Sequence, residues 1–428
     1  MPASVDALAH ADDLADFVAA SPSSFHAAAE VARRLTDAGF TALDEREPWR
    51  AQAGGRYLVV RDGAVLAWVL PQSVRPDVPV RVLGAHSDSP GFTLKPRPTT
   101  GRLGWLQAGV EIYGGPLLNS WLDRELRLAG RLVLEDGSAV LAATGPLLRL
   151  PQLAIHLDRS VNDGLALDKQ AHTQPVWGLG ESESADILAE LARDAGVDAA
   201  RIRGYDIVTA DAARGTVFGR DDVFFASGRL DDLASVHAGV QALLVASADH
   251  DADHIAMLAV FDHEEVGSAT RSGAAGPFLA DVLERIGLTL GADREERMRA
   301  LASSWCVSSD VGHAVHPNYP DRHDPVVQPR LGSGPILKIN ANQRYATDAA
   351  GAAAWGGWCA QAGVSSQEFV SNNSVPCGST IGPITATRLG IRTVDVGIPI
   401  LSMHSARELA GVSDLWDLAR VAETFFRG

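Results

Sequence analysis

Apolar residues recur at helical spacing near the start of the chain (Val5, Leu8, Ala11, Ala15, Val18), which predicts a helix over 5–19. Pro22-Ser23-Ser24 opens a second helix, with Gly39 as its stop. The period then changes. Segments 57–60 and 64–70 flank Asp62-Gly63, a hairpin signal. Short apolar runs bounded by polar residues follow at 80–83, 255–261, 305–308, 336–339, 368–370 and 393–396, and each reads as a buried strand. Helices are expected between and after them at 233–246, 278–286, 349–362, 381–389 and 412–425. This alternation predicts an α/β fold, a mostly parallel mixed sheet flanked by helices.

The stretch after Gly91 has a different texture. Up to about Asp222 it is rich in glycine, proline and short β-like runs, with 132–134 and 139–142 flanking Asp136-Gly137. One helix (184–195) and a strand (203–209) complete it. The expected organisation is one domain made of 1–91 plus 224–428, and an inserted β-rich domain over 92–223. A chain of 428 residues is too long for one typical core, so two domains fit.

Charge narrows the function. Lys plus Arg total 37 against 53 Asp plus Glu, a net charge of -16, which argues against nucleic acid and against an anionic membrane surface. Cys306, Cys359 and Cys377 form no CxxC pair, so neither a disulfide framework nor a zinc–cysteine site is expected. The first eighteen residues lack a signal-peptide pattern, and no apolar run reaches the roughly 18 residues of a membrane span. A cytoplasmic location is the expectation.

The chemistry concentrates where predicted strands end. Glu264-Glu265 follows the run 255–261 and precedes Gly267; His86 follows 80–83; Asp310 follows 305–308; His404 follows the strand 393–396 and a short loop; Asp231 opens the helix 233–246. Ligands of open α/β sheets bind at the carboxyl ends of strands. Each residue alone has an ordinary alternative: a hydrogen-bonded histidine, a helix cap, a solvated turn. Five metal-competent side chains on one sheet edge favour a metal site. Imidazole with carboxylate suits zinc, cobalt or manganese. Two metals about 3.5–4 Å apart can share a bridging carboxylate and a water. HExxH, GxSxG, Walker and GxGxxG motifs are absent. Cys377 is read as a structural thiol rather than a nucleophile.

Longer blocks carry a family resemblance. His86-Ser87-Asp88-Ser89-Pro90, Arg229-Leu230-Asp231-Asp232-Leu233, Asp262-His263-Glu264-Glu265-Val266-Gly267-Ser268, Ser309-Asp310, Asn342-Gln343-Arg344-Tyr345-Ala346-Thr347, Pro376-Cys377-Gly378-Ser379 and Met403-His404-Ser405 resemble the aspartyl aminopeptidases, in family order along nearly the whole chain. The resemblance implies a β-rich dimerisation domain within a metallopeptidase domain, assembled as a homododecamer around an inner chamber. It implies two divalent metal ions per subunit, zinc foremost, with Asp231 bridging, His86 and Asp310 on one ion, and Glu265 and His404 on the other. Glu264 would be the general base, and Asp88 would orient His86. Lys338 would favour an acidic first residue of a peptide substrate, His156 would reach a neighbouring subunit's site, and His316 would affect activity and assembly. The implied reaction is removal of an amino-terminal Asp or Glu. A carboxypeptidase-like or deacylating amidohydrolase on the same scaffold is the alternative. Asp232 and His263 depart from the family pattern, and neither is an expected ligand.

Overall fold

The computed structural model describes residues 2–248 and 252–428; Met1 and residues 249–251, which fall within the expected 1–91 plus 224–428 unit, lie outside them. A nine-stranded sheet runs in the order Thr41–Ala42, Arg56–Arg61, Ala64–Val69, Ile255–Phe261, Val80–His86, Trp305–Ser309, Arg392–Gly397, Ile336–Ile339 and Gln367–Val370. Its centre is parallel: Phe261 pairs with His86, Ser308 with Gly84, and Ser309 with Val396. The Asp62-Gly63 hairpin joins on one side and Ile336–Ile339 on the other, both antiparallel.

All seven residues of Ile255–Phe261 are buried, which explains its unbroken apolar sequence. Ala256, Leu258 and Val260 pack with the helices Val5–Ala20, Ser24–Asp37, Leu230–Ala248 and Val412–Arg427, whereas Ile255, Met257, Ala259 and Phe261 face Phe278–Thr289 and Ile381–Leu389. Helices therefore cover both faces. Burying each large side chain here contributes roughly 1.5–3 kcal/mol, so the strand that carries Glu264 and Glu265 at its end is a rigid support.

A second sheet contains Ile202–Asp211, Gly91–Arg102, Trp105–Tyr113, Val176–Leu179, Leu148–Arg149, Glu125–Leu134 and Ala139–Ala143. Ile202–Asp211 pairs with both Gly91–Arg102 and Glu125–Leu134, so the sheet closes on itself and leaves few free edges. Gly130 permits that closure: a Cβ there would stand 1.9 Å from the Asp206 carbonyl oxygen. Ile187 and Leu191, from the helix Ile187–Ala195, join Phe92, Leu128 and Ile207 in a core of its own.

Two features escape the periodicity. Arg294–Ala302 is a helix with no buried residue, so it has no apolar stripe; its signature is the capping box of Asp293 and Glu296. A five-stranded sheet links Thr216–Phe218, Phe224–Ser227, Glu408–Gly411, Pro399–Leu401 and Gly312–His313, each too short to show alternation. This small sheet brings the His404 turn beside Asp231.

Candidate metal centre

Val80–His86 runs three residues past the expected end at Leu83, so His86 closes the strand instead of following it. Its Nδ1 lies 3.0 Å from the Asp88 carbonyl oxygen. A carbonyl only accepts, so Nδ1 carries a proton, and Nε2 is left for a second proton or a cation. That Nε2 stands 3.1 Å from Asp231 Oδ1 and 3.9 Å from Asp310 Oδ1. His404 repeats the device from a turn at φ 65°. Its Nδ1 lies 3.0 Å from the Gly115 carbonyl oxygen, and its Nε2 is 3.4 Å from both Asp231 Oδ2 and Glu265 Oε2.

Asp231 thus divides its two oxygens between two imidazoles. Its backbone is non-helical although it lies inside Leu230–Ala248, and its buried Oδ1 makes no hydrogen bond. An imidazole Nε2 aimed at carboxylate oxygens repels them unless a proton or a metal cation lies between them. The donor set therefore fits a metal. Among the described residues, three groups have donor atoms within 4.8 Å of one another: His86, Asp231 and Asp310; His86, Glu264 and Glu265; Asp231, Glu265 and His404.

The tandem glutamates form a single short turn, Glu264–Val266, entered through His263 at φ 63° and left through Gly267 at φ 97°. Asp88 holds this turn. Its carboxylate accepts from the backbone N–H groups of Glu264 (3.0 Å) and Glu265 (3.1 Å) and from the Tyr113 hydroxyl (2.7 Å). Asp88 meets His86 most closely through its main-chain carbonyl, whereas its Oδ1 lies 3.5 Å from Nδ1.

Burial and crowded charge disturb the glutamates and the imidazoles. Burial, with Asp310, Asp231 and Asp88 nearby, pushes Glu264 up to about 7. Burial and Asp231 hold Glu265 well above the usual carboxylate range. For His404 burial acts downward, but Asp231 outweighs it and raises the ring to about 9. The same contest keeps His86 raised. Glu264, Glu265 and both imidazoles favour protons, whereas the neighbouring imidazoles hold Asp231 below the usual carboxylate range.

Glu264, Glu265, Asp310 and His404 line a cavity of about 480 Å³ together with His313, Lys338 and Tyr345. Lys338 is buried; its Nζ donates to the Val311 carbonyl (2.9 Å) and stands 3.5 Å from Asp310 Oδ2. The fold thus unites His86, Asp88, Asp231, Glu264, Glu265, Asp310, Lys338 and His404. It leaves His156 exposed on the turn-rich segment between Leu148–Arg149 and Val176–Leu179, and His316 half-buried against Tyr319, with neither lining this cavity.

Three contributors had no role assigned from the sequence, although Arg407-Glu408 belongs with the Met403-His404-Ser405 block of the resemblance. Glu408 accepts from the backbone N–H groups of Asp231 (3.0 Å) and His404 (2.7 Å), bracing two candidate ligands at once. Burial and Asp231 raise it to about 8. Tyr113 and Gly115 come from the β-rich segment, and no local pattern marks them.

A strand-end cluster of histidines and carboxylates beneath a cavity defines a metal-dependent hydrolase. The comparisons with known proteins are more specific. The family profile described as Aminopeptidase I zinc metalloprotease (M18) matches residues 17–426. A probable M18 family aminopeptidase 2 from Streptomyces avermitilis is 54% identical over 423 residues, covering 98% of each chain. Among solved structures, the Ape4 and Nbr1 complex is similar at TM-score 0.95 and 34% identity, covering 99% of this chain and 86% of that one. The S. cerevisiae mApe1 dodecamer is similar at TM-score 0.85 and 29% identity, covering 97% and 96%. The chain belongs to the M18 aminopeptidase family and is a metallo-aminopeptidase.

Proposed function

We propose that the protein is a two-metal aminopeptidase that removes amino-terminal Asp or Glu from peptides. One observation carries this reading: the Asp231 carboxylate is shared between the Nε2 atoms of His86 and His404, the arrangement of a bridging ligand. His86 and Asp310 would hold one ion, and Glu265 and His404 the other. Zinc is the first choice; cobalt or manganese suits the same donors. When bound, the ions acidify water and polarise the scissile carbonyl.

The chain's own groups supply the remaining chemistry. Glu264, raised to about 7, takes a proton from water near neutral pH and returns it to the leaving amine. Asp88 fixes both glutamates through their main-chain N–H groups, so base and ligand keep separate positions. Lys338 presents a buried positive charge to the first substrate side chain, which favours a carboxylate there. His156 would reach a second subunit's site and His316 would act in assembly. Self-association through the 92–223 domain into a homododecamer belongs to the same reading, supported by likeness to the mApe1 dodecamer. Among the described residues no helix is long and apolar enough to cross a membrane; a cytoplasmic location is part of the proposal.

Metal analysis combined with kinetics tests this reading. Glu264→Gln should retain two ions per chain and lose roughly 10²–10⁴ in kcat; turnover close to wild type would refute the mechanism. Peptides beginning with free and acetylated Asp separate the amine-dependent reaction from simple deacylation. Lys338→Ala should lower the preference for Asp over Leu at the first position, and an unchanged ratio would remove Lys338 from specificity.

A further inference from the structure

The metal cavity has a wall whose support comes from a residue outside its lining. Asp395 lies in the strand Arg392–Gly397, between Trp305–Ser309 and Ile336–Ile339, and is fully buried. Its Oδ2 accepts from the Ala346 N–H at 2.6 Å, and its Oδ1 from the Thr380 hydroxyl at 2.5 Å. Its own N–H donates to Thr347 Oγ1 at 2.9 Å. One residue thus ties the segment 342–347 to the segment 376–380. Gly382, in the first turn of the helix Ile381–Leu389, makes room for the carboxylate: a Cβ there would stand 2.2 Å from Asp395 Oδ2. Among the described residues no basic nitrogen lies within 4.0 Å of this carboxylate, and burial pushes it above the usual range. A buried acid without an ion pair is costly. Compensation comes from neutral donors, from the amino end of that helix, and from the charge of Lys338 further off.

Both tied segments wall the cavity that holds Glu264, Asp310 and His404. Tyr345 stands in the first and Gly378, Ser379 and Thr380 in the second, and all four line the cavity with Lys338. The Tyr345 ring centroid lies 5.5 Å from Lys338 Nζ, within cation–π reach, and Phe369 packs against that ring at 6.3 Å. A charge kept from water acts on a substrate carboxylate more strongly than a hydrated one. Lys338 is buried, and Tyr345, whose neighbour Ala346 is pinned by Asp395, is part of its cover. Bonds made directly between the two segments, Arg344 Nε to the Gly378 carbonyl (3.2 Å) and Ser379 Oγ to the Arg344 carbonyl (3.5 Å), are exposed. We propose that Asp395 is a positioning residue for substrate selection: it clamps 342–347 to 376–380 and keeps Tyr345 closed over Lys338. The carboxylate is absent from the cavity lining, so it acts through these segments. This role deepens the aminopeptidase reading and rests on it.

Two substitutions and two measurements test it. Asp395→Ala removes both side-chain bonds. Asp395→Asn keeps the shape, with its amide oxygen accepting from Ala346 and its amide nitrogen donating to Thr380 Oγ1. Hydrogen–deuterium exchange of the full chain reads the clamp without turnover: peptides over 342–348 and 376–381 should exchange faster in Asp395→Ala, with Ile255–Phe261 as protected as in the wild type. Kinetics on Asp- and Leu-terminal peptides reads the consequence. In Asp395→Ala the KM for the Asp peptide should rise roughly tenfold, with kcat changing less, and the Asp-to-Leu ratio of kcat/KM should fall roughly tenfold. Asp395→Asn should restore most of each. A residue that serves stability alone would leave KM and the ratio where they are. An unchanged ratio in folded Asp395→Ala, or wild-type exchange over 342–348, overturns the proposal. Should Asp395→Ala fail to fold, Thr380→Val cuts the tie to one segment and is judged by the same ratio and the same exchange over 376–381. Wild-type protein that cleaves neither peptide refutes the aminopeptidase reading and the selection role with it, whereas the exchange result still decides the clamp.

Discussion

The helix Leu230–Ala248 carries two histidine–carboxylate clusters of similar composition and opposite character. At its start, Asp231 meets His86 and His404. Six residues on, His237 lies beside His10 and reaches Asp13 from the helix Val5–Ala20. In this second cluster one oxygen, Asp13 Oδ2, accepts from His237 (2.7 Å), Arg34 (2.8 Å) and Gln241 (2.7 Å), so a cation is already built in and the carboxylate is satisfied. His10 packs its ring against His237 at 4.6 Å and against Trp416 at 5.5 Å. In the first cluster the imidazole Nδ1 atoms face carbonyls, and the Nε2 atoms face the carboxylates of Asp231 and Glu265. Residue type does not separate a metal centre from a structural knot. Whether a guanidinium already sits on the carboxylate, as Arg34 does on Asp13, does.

Substitutions should divide the two clusters cleanly. The largest effect is expected for Asp231→Asn, which should cost at least about 10³-fold in kcat/KM and lower metal content, measured by elemental analysis. Full metal occupancy in that variant would remove Asp231 from the ligand set. Chelation should abolish turnover and lower the melting temperature, with both restored by zinc. Asp13→Ala should do the reverse: a stability loss of about 1–3 kcal/mol in denaturant unfolding, because buried donors lose their acceptor, with metal content and kcat/KM unchanged. Metal loss in Asp13→Ala would mean that the clusters are coupled along the helix.

The smallest expected effect is on the acid limb of stability. Burial, with His237 beside it, holds His10 down at about 3, against an unfolded value of 6.5. A folded value below the unfolded one means that the unfolded chain binds the extra proton first. The stabilising contribution is therefore complete above about pH 6.5 and shrinks as pH falls towards 3. His10→Leu should flatten the stability profile across that window, measured by unfolding at several pH values. An unaltered slope would assign the acid sensitivity to other groups.

Much of this was legible before any coordinates. Ile255–Phe261 is apolar at every position because both its faces are covered, and the polar break after it marks the strand end where Glu264 and Glu265 stand. The metal-competent residues were visible because each follows or opens an element, a local property. What brings them within reach of one another is not local. Tyr113 and Gly115 belong to the β-rich segment and show no pattern of their own, and Glu408 works through main-chain N–H groups that any sequence would supply. The boundary at His86 was misplaced for a related reason: Gly84-Ala85-His86 carries no strand propensity, yet pairing with Val260 and Phe261 extends the strand through it.

The reach of the β-rich segment into the centre bears on how the molecule is made. Tyr113 and Gly115 are translated early, and His404 close to the end of the chain, yet His404 is steadied by the Gly115 carbonyl and Asp88 by the Tyr113 hydroxyl. A nascent chain therefore holds no complete cutting apparatus until its last hundred residues have found a segment laid down three hundred residues earlier. On the proposed reading, peptide cutting belongs to the finished molecule, because the β-rich segment steadies His404 and Asp88.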